Sequence, residues 1–412
     1  MNRKIGKHRM LLDRTTYDSL RRTLVGWLLR RAYRATERTI RRNGELAGAK
    51  IHRILVCRPN HRLGNTLLMT PLIVELGRTF PDAKVDVIAG GVAGPDVFRN
   101  FHNVERVICL PRHMAKHPIY VVRMALQLRR EHYDLAIDPC EASQSGRLLL
   151  AAARAKHAIG ISTSESRHDP KWLAVMQKGP KHMAQLPVFL LRNALSPAGL
   201  ESKVDYPAMT LGLSIPERQA ALARLDAMTR VGVRVQPKAT IGIFAAATGS
   251  KRYDSAWWLR FITEMRAQQA DYAIVELASE RGQSFLRQLP SFSSTSIREV
   301  AAFISNMTCF ISADCGVMHL ASASGVTTIG LFSATDPEKY APYGQHSQVI
   351  TTKEKSPEEV AQIAVSIVEA TISDNAAHSH FSDKRMSGSC SDGGRDATAE
   401  LNTRGSAKQR GH

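Results

Sequence analysis

The stretch from Cys309 to Gly344 combines residue types that suit the binding of an anionic group. Its apolar start, Cys309–Ala313, is typical of a buried parallel strand, and Asp314 stands where the N-cap of a following helix is expected. The spacing predicts a helix over Gly316–Ser324 that ends at Gly325. Its free N–H groups and positive dipole end would form an anion site at a strand end. Taken alone, the pattern fits equally well an ordinary βαβ unit with a capped helix and a buried histidine.

The same stretch resembles the signature of the glycosyltransferase family that contains the ADP-heptose:lipopolysaccharide heptosyltransferases. That family has an Asp-Thr/Ser-Gly-x-x-His-Leu-Ala segment, then an apolar strand, Leu-Phe-Gly-x-Thr-x-Pro and a Tyr-x-Pro-Tyr-Gly-like turn. The matching residues here are Asp314, Gly316, His319, Leu320, Ala321, Leu331, Phe332, Thr335, Pro337, Tyr340, Pro342 and Gly344. Cys315 replaces the usual hydroxyl residue, which weakens one expected hydrogen bond to a phosphate.

The resemblance implies that a nucleotide-sugar donor, and no separate cofactor, binds the second half of the chain. The residues it implies for the donor site are Thr248, Lys251, Glu280, Asp314, Cys315, Gly316, Val317 and His319. Lys251 matches a lysine that contacts the phosphates, and Glu280 matches an acidic residue that holds the ribose hydroxyls. By position alone, Lys251 is also compatible with a surface lysine, and Glu280 with an exposed carboxylate at a helix start.

The family's catalytic base is an Asp in a Gly-Asp-x-Leu-x-x-x-Pro pattern, and this chain has Asn65 at that place. An amide does not accept a proton at neutral pH. Three explanations follow. Another group serves as the base, with His61, Asp138 and Glu141 as candidates and Asp138 preferred because it ends a strand. Alternatively, Asn65 positions an acceptor whose own phosphate or carboxylate helps, or the protein binds its ligand without catalysis. For His61 alone, a solvent-facing loop cation is the favoured interpretation.

The elements that would position these residues form two α/β series. Strands are predicted at 51–57, 84–89, 104–110, 134–138 and 158–161, and again at 240–245, 272–277, 309–313 and 327–332, with helices between them. The predicted domains are a basic extension (1–50), an acceptor-side domain (51–215), a linker (216–237), a nucleotide-sugar domain (238–373) and a disordered tail (374–412). With the resemblance, this indicates a GT-B type fold of two Rossmann-like domains facing a cleft.

The 412-residue chain has a formal net charge of +19, and its first 50 residues hold fourteen Lys/Arg against four Asp/Glu. In that segment Tyr17, Leu20, Leu24, Trp27, Leu28 and Tyr33 recur at roughly helical spacing. Such a basic helix suits an anionic membrane surface through residues 1–45, although a helix packed on the next domain is nearly as compatible. Nucleic acid is not an expected partner, because no nucleic-acid-binding module accompanies the charge.

The chain has no apolar run of the roughly 18 residues that a membrane-spanning helix needs, and no signal-peptide core. Its six cysteines are scattered, without a Cys-x-x-Cys pair that would indicate zinc or a disulfide framework. No Asp-x-Asp motif is present, which agrees with metal-independent transfer. Together with these observations, the resemblance implies a cytoplasmic glycosyltransferase, peripheral on the inner membrane, that moves a heptose from ADP-heptose to a lipid-linked anionic saccharide of the lipopolysaccharide core. The alternative is a non-catalytic binding protein of the same fold.

Overall fold

The computed structural model describes residues 44–112, 117–139, 144–160, 170–196, 205–229, 236–279, 282–344 and 346–387. The first domain contains a five-stranded parallel sheet with the strand order β3-β2-β1-β4-β5. Its strands are β1 (Arg53–Arg58), β2 (Lys84–Gly90), β3 (Val104–Leu110), β4 (Leu135–Asp138) and β5 (His157–Gly160). The central strand β1 is buried along nearly its whole length, as a strand covered by helices on both faces must be.

The second domain contains a six-stranded parallel sheet with the order β11-β10-β9-β6-β7-β8. Its strands are β6 (Ala239–Phe244), β7 (Tyr272–Leu277), β8 (Ser291–Phe292), β9 (Cys309–Ala313), β10 (Thr327–Phe332) and β11 (Gln348–Thr351). Strands β9 and β10 are buried at every residue. The prediction of two α/β domains is confirmed, since each sheet is parallel and is interleaved with helices along the chain.

Helices connect the strands in both domains. In the first part of the chain they are α1 (Leu63–Leu67), α2 (Thr70–Thr79), α3 (Ala93–Phe98), α4 (Pro118–Arg130), α5 (Gln144–Ala153), α6 (Pro170–Lys178) and α7 (Leu186–Leu195). The second part contains α8 (Ile215–Thr229), α9 (Ser255–Gln268), α10 (Ile297–Ile304), α11 (Gly316–Ser324), α12 (Pro337–Tyr340) and α13 (Pro357–Ser387). Among the described helices, none has the length and apolar character that crossing a bilayer requires.

The predicted start of the disordered tail needs correction. Helix α13 continues to Ser387, so the tail predicted for 374–412 begins as helix. The sequence does not predict this extension, because a polar segment carries no strong hydrophobic periodicity. Helix α9 has Asp254 as its N-cap, and the Asp254 carboxylate accepts from the Trp257 N–H. The end of the tail, 388–412, lies outside the described residues.

The extension predicted for residues 1–50 ends inside the first domain. The Gly44 N–H donates to Asn193 O at 3.1 Å and the Leu46 N–H to Ala194 O at 2.8 Å, so the chain is tied to the end of α7. The Leu46 side chain is buried in the main core. The basic helix predicted within residues 1–45 falls almost entirely on residues 1–43, outside the described part of the chain.

Candidate active site

A cleft of about 1010 Å³ lies between the two domains, at the carboxyl ends of their central strands. This is where open parallel sheets bind ligands, and the volume lies at the upper end of the range for small-molecule sites. The first-domain wall consists of Arg58, Pro59, Asn60, Arg62, Leu63, Gly64, Asn65 and Met183. The second-domain wall consists of Thr248, Gly249, Ser250, Lys251, Asp314, Cys315, Gly316, His319, Thr335 and Tyr340.

Asp314 connects three loops of the second-domain wall. Its carboxylate Oδ2 accepts from Lys251 Nζ at 2.5 Å and from the Thr335 hydroxyl at 2.5 Å. The Asp314 side chain is 5% exposed whereas that of Lys251 is 33% exposed, so the carboxylate is covered and the ammonium group reaches the cleft. The predicted N-cap role of Asp314 is therefore wrong: the carboxylate holds Lys251 in place at the ligand side.

Helix α11 begins at the same point with Cys315 as its N-cap residue, in an extended conformation. The Cys315 thiol lies 3.3 Å from the Ser312 hydroxyl. Burial raises the pKa of this thiol, while the Ser312 hydroxyl and the N–H groups at the helix start act in the opposite direction. A neutral thiol leaves the positive end of the helix dipole free to act on a bound anion. Val317 lies in the first turn of α11, packed against the core, and is not among the lining residues.

His319 lines the cleft although only 4% of its surface is exposed. Burial lowers the pKa of His319 to about 4, so the ring is neutral at physiological pH. Its Nδ1 atom is buried, and no described residue lies within hydrogen-bond distance of it. Because a buried N–H without an acceptor is costly, we assign the ring hydrogen to Nε2. The ring can then donate a hydrogen bond from Nε2 into the cleft.

The two walls meet at a pair of glycines. A Cβ added at Gly64 would lie 2.7 Å from His319 Cδ2 and 3.3 Å from Gly316 Cα, and one added at Gly316 would lie 3.2 Å from Gly64 N. A side chain at either glycine would force the His319 ring or the facing backbone to shift. The helix starts of α1 and α11 therefore approach each other closely, and Asn65 follows directly on this contact.

The first-domain wall is cationic. Arg58 is 6% exposed, and its Nη1 donates to Pro139 O at 3.1 Å. Arg62 is exposed and lies in the same loop, just before α1. Asn65 lines the cleft in α1, as the sequence predicts, but no carboxylate belongs to the described part of this wall. The wall can bind an anionic ligand, and the residues described in it include no proton acceptor.

Of the other candidate bases, the two that the structure describes, Asp138 and His61, are not among the residues that line the cleft. Asp138 is 4% exposed, and a Cβ at Gly146 would lie 2.5 Å from its Oδ2, so its carboxylate packs against the start of α5. His61 is exposed and lies over Gly91, 3.4 Å from where a Cβ would stand. Glu141 and the predicted ribose-binding Glu280 are outside the described residues.

Of the residues that line the cleft, the sequence predicts Thr248, Lys251 and the start of α11 as site residues, and it does not predict Thr335 or the two arginines. Thr335 belongs to the matched signature, but its bond to Asp314 spans 21 residues and has no local signal. The position of Arg58 does indicate a site residue, because an arginine at the buried end of an apolar strand is unusual without a functional reason.

Comparison with known proteins gives a consistent result. The family model described as glycosyltransferase family 9 (heptosyltransferase) matches residues 121–366, more than half of the chain. A glycosyl transferase family 9 structure from Veillonella parvula is similar with a TM-score of 0.60 and 15% identity, covering 81% of this chain and 99% of that chain. A comparison with curated protein sequences finds no match.

Two Escherichia coli structures are similar as well. One is the ADP-heptose lps heptosyltransferase II, with a TM-score of 0.57, 16% identity and coverage of 79% of this chain and 99% of that chain. The other is heptosyltransferase WaaC with ADP, with a TM-score of 0.53, 18% identity and coverage of 77% and 99%. At these identities the structures establish the fold, and the predicted GT-B type architecture is confirmed.

Proposed function

Because the chain belongs to glycosyltransferase family 9, we propose that this nucleotide-sugar glycosyltransferase moves a heptose from ADP-heptose to an anionic saccharide of the lipopolysaccharide core. The observation that carries the donor assignment is the Lys251–Asp314–Thr335 cluster beside the start of α11. The similarity to the Escherichia coli ADP-heptose lps heptosyltransferase II and to heptosyltransferase WaaC with ADP supports an adenine nucleotide.

In this proposal the donor diphosphate binds the second-domain wall. Lys251 is already oriented by Asp314, so little side-chain entropy is lost when it contacts a phosphate oxygen. The N–H groups at the start of α11 and the Nε2–H of His319 supply neutral donors for the same charge. Glu280 remains the proposed partner of the ribose hydroxyls.

The proposed reaction is an inverting, metal-independent displacement. The acceptor hydroxyl oxygen attacks the anomeric carbon, the bond from that carbon to the diphosphate oxygen breaks, and ADP leaves. Negative charge grows on the diphosphate, where fixed N–H groups and the ammonium group of Lys251 stabilise it more strongly than they stabilise the bound donor.

The acceptor hydroxyl must also lose a proton. The first-domain wall offers Arg58, Arg62 and Asn65, and the described residues of that wall include no carboxylate. We therefore favour an acceptor that carries its own phosphate. The two arginines would hold this group, Asn65 would orient the attacking hydroxyl, and the phosphate dianion would accept the proton.

The cellular setting stays a proposal too. Residues 1–45 would bind an anionic membrane surface, which places the enzyme on the cytoplasmic face of the inner membrane, next to a lipid-linked acceptor. The high positive charge of the whole chain supports an anionic surface as the partner.

A transfer assay tests the proposal: purified protein, ADP-heptose and a phosphorylated lipopolysaccharide core acceptor, with product analysis by mass spectrometry and NMR. We expect a heptosylated product of inverted anomeric configuration and a rate unchanged by EDTA. Tight ADP-heptose binding without product from any core acceptor would instead establish the non-catalytic alternative. A rate abolished by EDTA and restored by a divalent cation would overturn metal independence.

A further inference from the structure

Helix α4 carries an apolar stripe that points to solvent. Ile119, Val122 and Leu126 are 74%, 58% and 49% exposed. They follow one another at spacings of three and four residues, which places them on one face of the helix. Isolated exposed apolar residues are common on proteins, but three on one face form a continuous surface.

This stripe lies opposite the face that packs on the first domain. Met124 and Leu128 lie on the other side of the helix and are 5% and 0% exposed. Both belong to the core cluster that covers β4. The helix is therefore apolar on two opposite faces, and only one of them is needed for the fold. Because the domain core covers only one of these faces, the other face is available to contact a second apolar environment outside the domain.

The edges of the stripe are basic. Arg123, Arg129 and Arg130 are exposed, and the helix contains no acidic residue. The next residue, Glu131, is engaged by Arg106 at 2.7 Å and Arg53 at 3.0 Å, so its charge is balanced within the first domain. We name Ile119, Val122 and Leu126 with these three arginines the α4 face.

The start of the α4 face lies at the edge of the sheet that forms the cleft. The Tyr120 hydroxyl donates to Cys109 O at 3.1 Å, near the carboxyl end of β3. At the same edge the Gly91 N–H donates to Leu110 O at 3.4 Å, and the next residue, Val92, is 91% exposed. A bilayer that contacts this face would therefore lie beside the first-domain wall.

We propose that the α4 face is a membrane-docking site that inserts its three apolar side chains into the interface of an anionic bilayer. Apolar residues flanked by arginines are the pattern that anionic lipid surfaces attract. The charge argues against two other occupants: the N-terminal segment is itself strongly basic, and a second copy would bring arginines against arginines. This site is separate from the membrane contact proposed for residues 1–45 and does not depend on catalysis.

The test is sedimentation of the full-length protein with vesicles of phosphatidylethanolamine and phosphatidylglycerol. The variant Ile119→Ser/Val122→Ser/Leu126→Ser is compared with a matched control, Ile215→Ser/Leu222→Ser/Leu259→Ser, which removes three exposed apolar side chains from α8 and α9. We expect the α4 variant to lower the partition coefficient by about tenfold or more, because buried apolar area drives interfacial binding. The control variant should bind like the wild type, and circular dichroism melting establishes that each variant is folded.

Two results would overturn the proposal. Wild-type partitioning in the folded α4 variant would mean that the N-terminal segment alone, or no part of the chain, binds the vesicles. Self-association of the wild type without vesicles that is lost in the α4 variant, measured by sedimentation velocity, would make the α4 face a contact between copies. A fall in wild-type partitioning when phosphatidylcholine replaces phosphatidylglycerol, or when salt is raised, supports the role of the arginines.

Discussion

Three polar side chains of the second-domain wall are joined by hydrogen bonds, whereas the first-domain wall presents two arginines and the Asn65 amide. On the second-domain side, Asp314 fixes both Lys251 and Thr335, and α11 begins beside them. On the first-domain side, Asn65 occupies the place where the family pattern has a carboxylate. The second-domain wall thus carries groups that can stabilise an anionic leaving group, and the described part of the first-domain wall carries no carboxylate that could take a proton.

This difference suggests a division of the chemistry between protein and substrate. Electrostatic stabilisation of a leaving group requires fixed groups, which a folded domain supplies. A proton acceptor needs a suitable pKa and the right distance, and in the proposed function an acceptor phosphate held by Arg58 and Arg62 would have to meet both conditions.

The largest effect is expected from the acceptor itself. Removing the acceptor phosphate with a phosphatase should lower kcat of the wild type by about 100-fold or more, the usual contribution of general base catalysis. The variant Asn65→Asp should lose much less with the same substrate, because its carboxylate can take the proton. Steady-state transfer rates with both acceptors measure the effect.

The matched control is Asn60→Asp, which adds the same charge to the same wall three residues before the start of α1. It should behave like the wild type. Equal kcat values for the two acceptors in the wild type would contradict an acceptor-supplied base. Loss of activity in Glu141→Gln, with ADP binding intact, would place the base in the protein.

A second effect concerns His319 on the second-domain wall. Its pKa is about 4 when folded, against 6.5 ordinarily, so between these pH values the unfolded chain holds a proton that the folded chain lacks. The free energy of unfolding should therefore fall as the pH drops from about 6.5 to about 4, by roughly 3 kcal/mol from this group. Above about pH 6.5 His319 is neutral in both the folded and the unfolded chain, so this group no longer makes the free energy of unfolding depend on pH.

Urea unfolding of the wild type and of His319→Gln across this pH range isolates the contribution of His319. The difference between the two proteins should vary with pH in the stated window and be constant above it. Parallel curves throughout would mean that His319 is not the titrating group.

A third, smaller effect tests the contact between the walls. Gly64→Ala places a methyl group against Gly316 and His319, so we expect a loss of roughly 1–3 kcal/mol in stability. Helix propensity alone predicts the opposite sign, since alanine is favoured over glycine in α1 by about 1 kcal/mol.

Thermal unfolding measures this effect. The control is Gly160→Ala, because a Cβ there would meet no atom within 4 Å and the site has no strained φ. A Gly64→Ala protein as stable as the wild type would show that the walls do not press against each other at this point.

The sequence predicts the second-domain wall better than the first. The bounds of β9, α11 and β10 agree with the predicted ones because two fully buried strands flank a helix that ends at Gly325, which has φ of +88°. The role of Asp314 escaped prediction for a physical reason. Its partner Lys251 is 63 residues away, and only the folded sheet brings the two loops together.

On the first-domain side the prediction of Asp138 rested on its position at a strand end. The position at a strand end correctly predicts the edge of the sheet on which Asp138 lies. The direction of its side chain depends on the element that packs over it, which is the start of α5 at Gly146. By contrast, the sequence alone shows that Asn65 stands where the family pattern has an Asp, because the rest of the Gly-Asp-x-Leu-x-x-x-Pro pattern is present.

The central claim is that the second-domain wall binds a nucleotide diphosphate through Lys251. Isothermal titration with ADP tests it directly for the wild type, Lys251→Ala and the control Lys353→Ala, which removes an exposed lysine of the same domain. We predict that Lys251→Ala weakens ADP binding by about 10- to 100-fold, as loss of a charge-assisted hydrogen bond does, while Lys353→Ala leaves it unchanged. Equal affinities in all three folded proteins would contradict the assignment of the donor site.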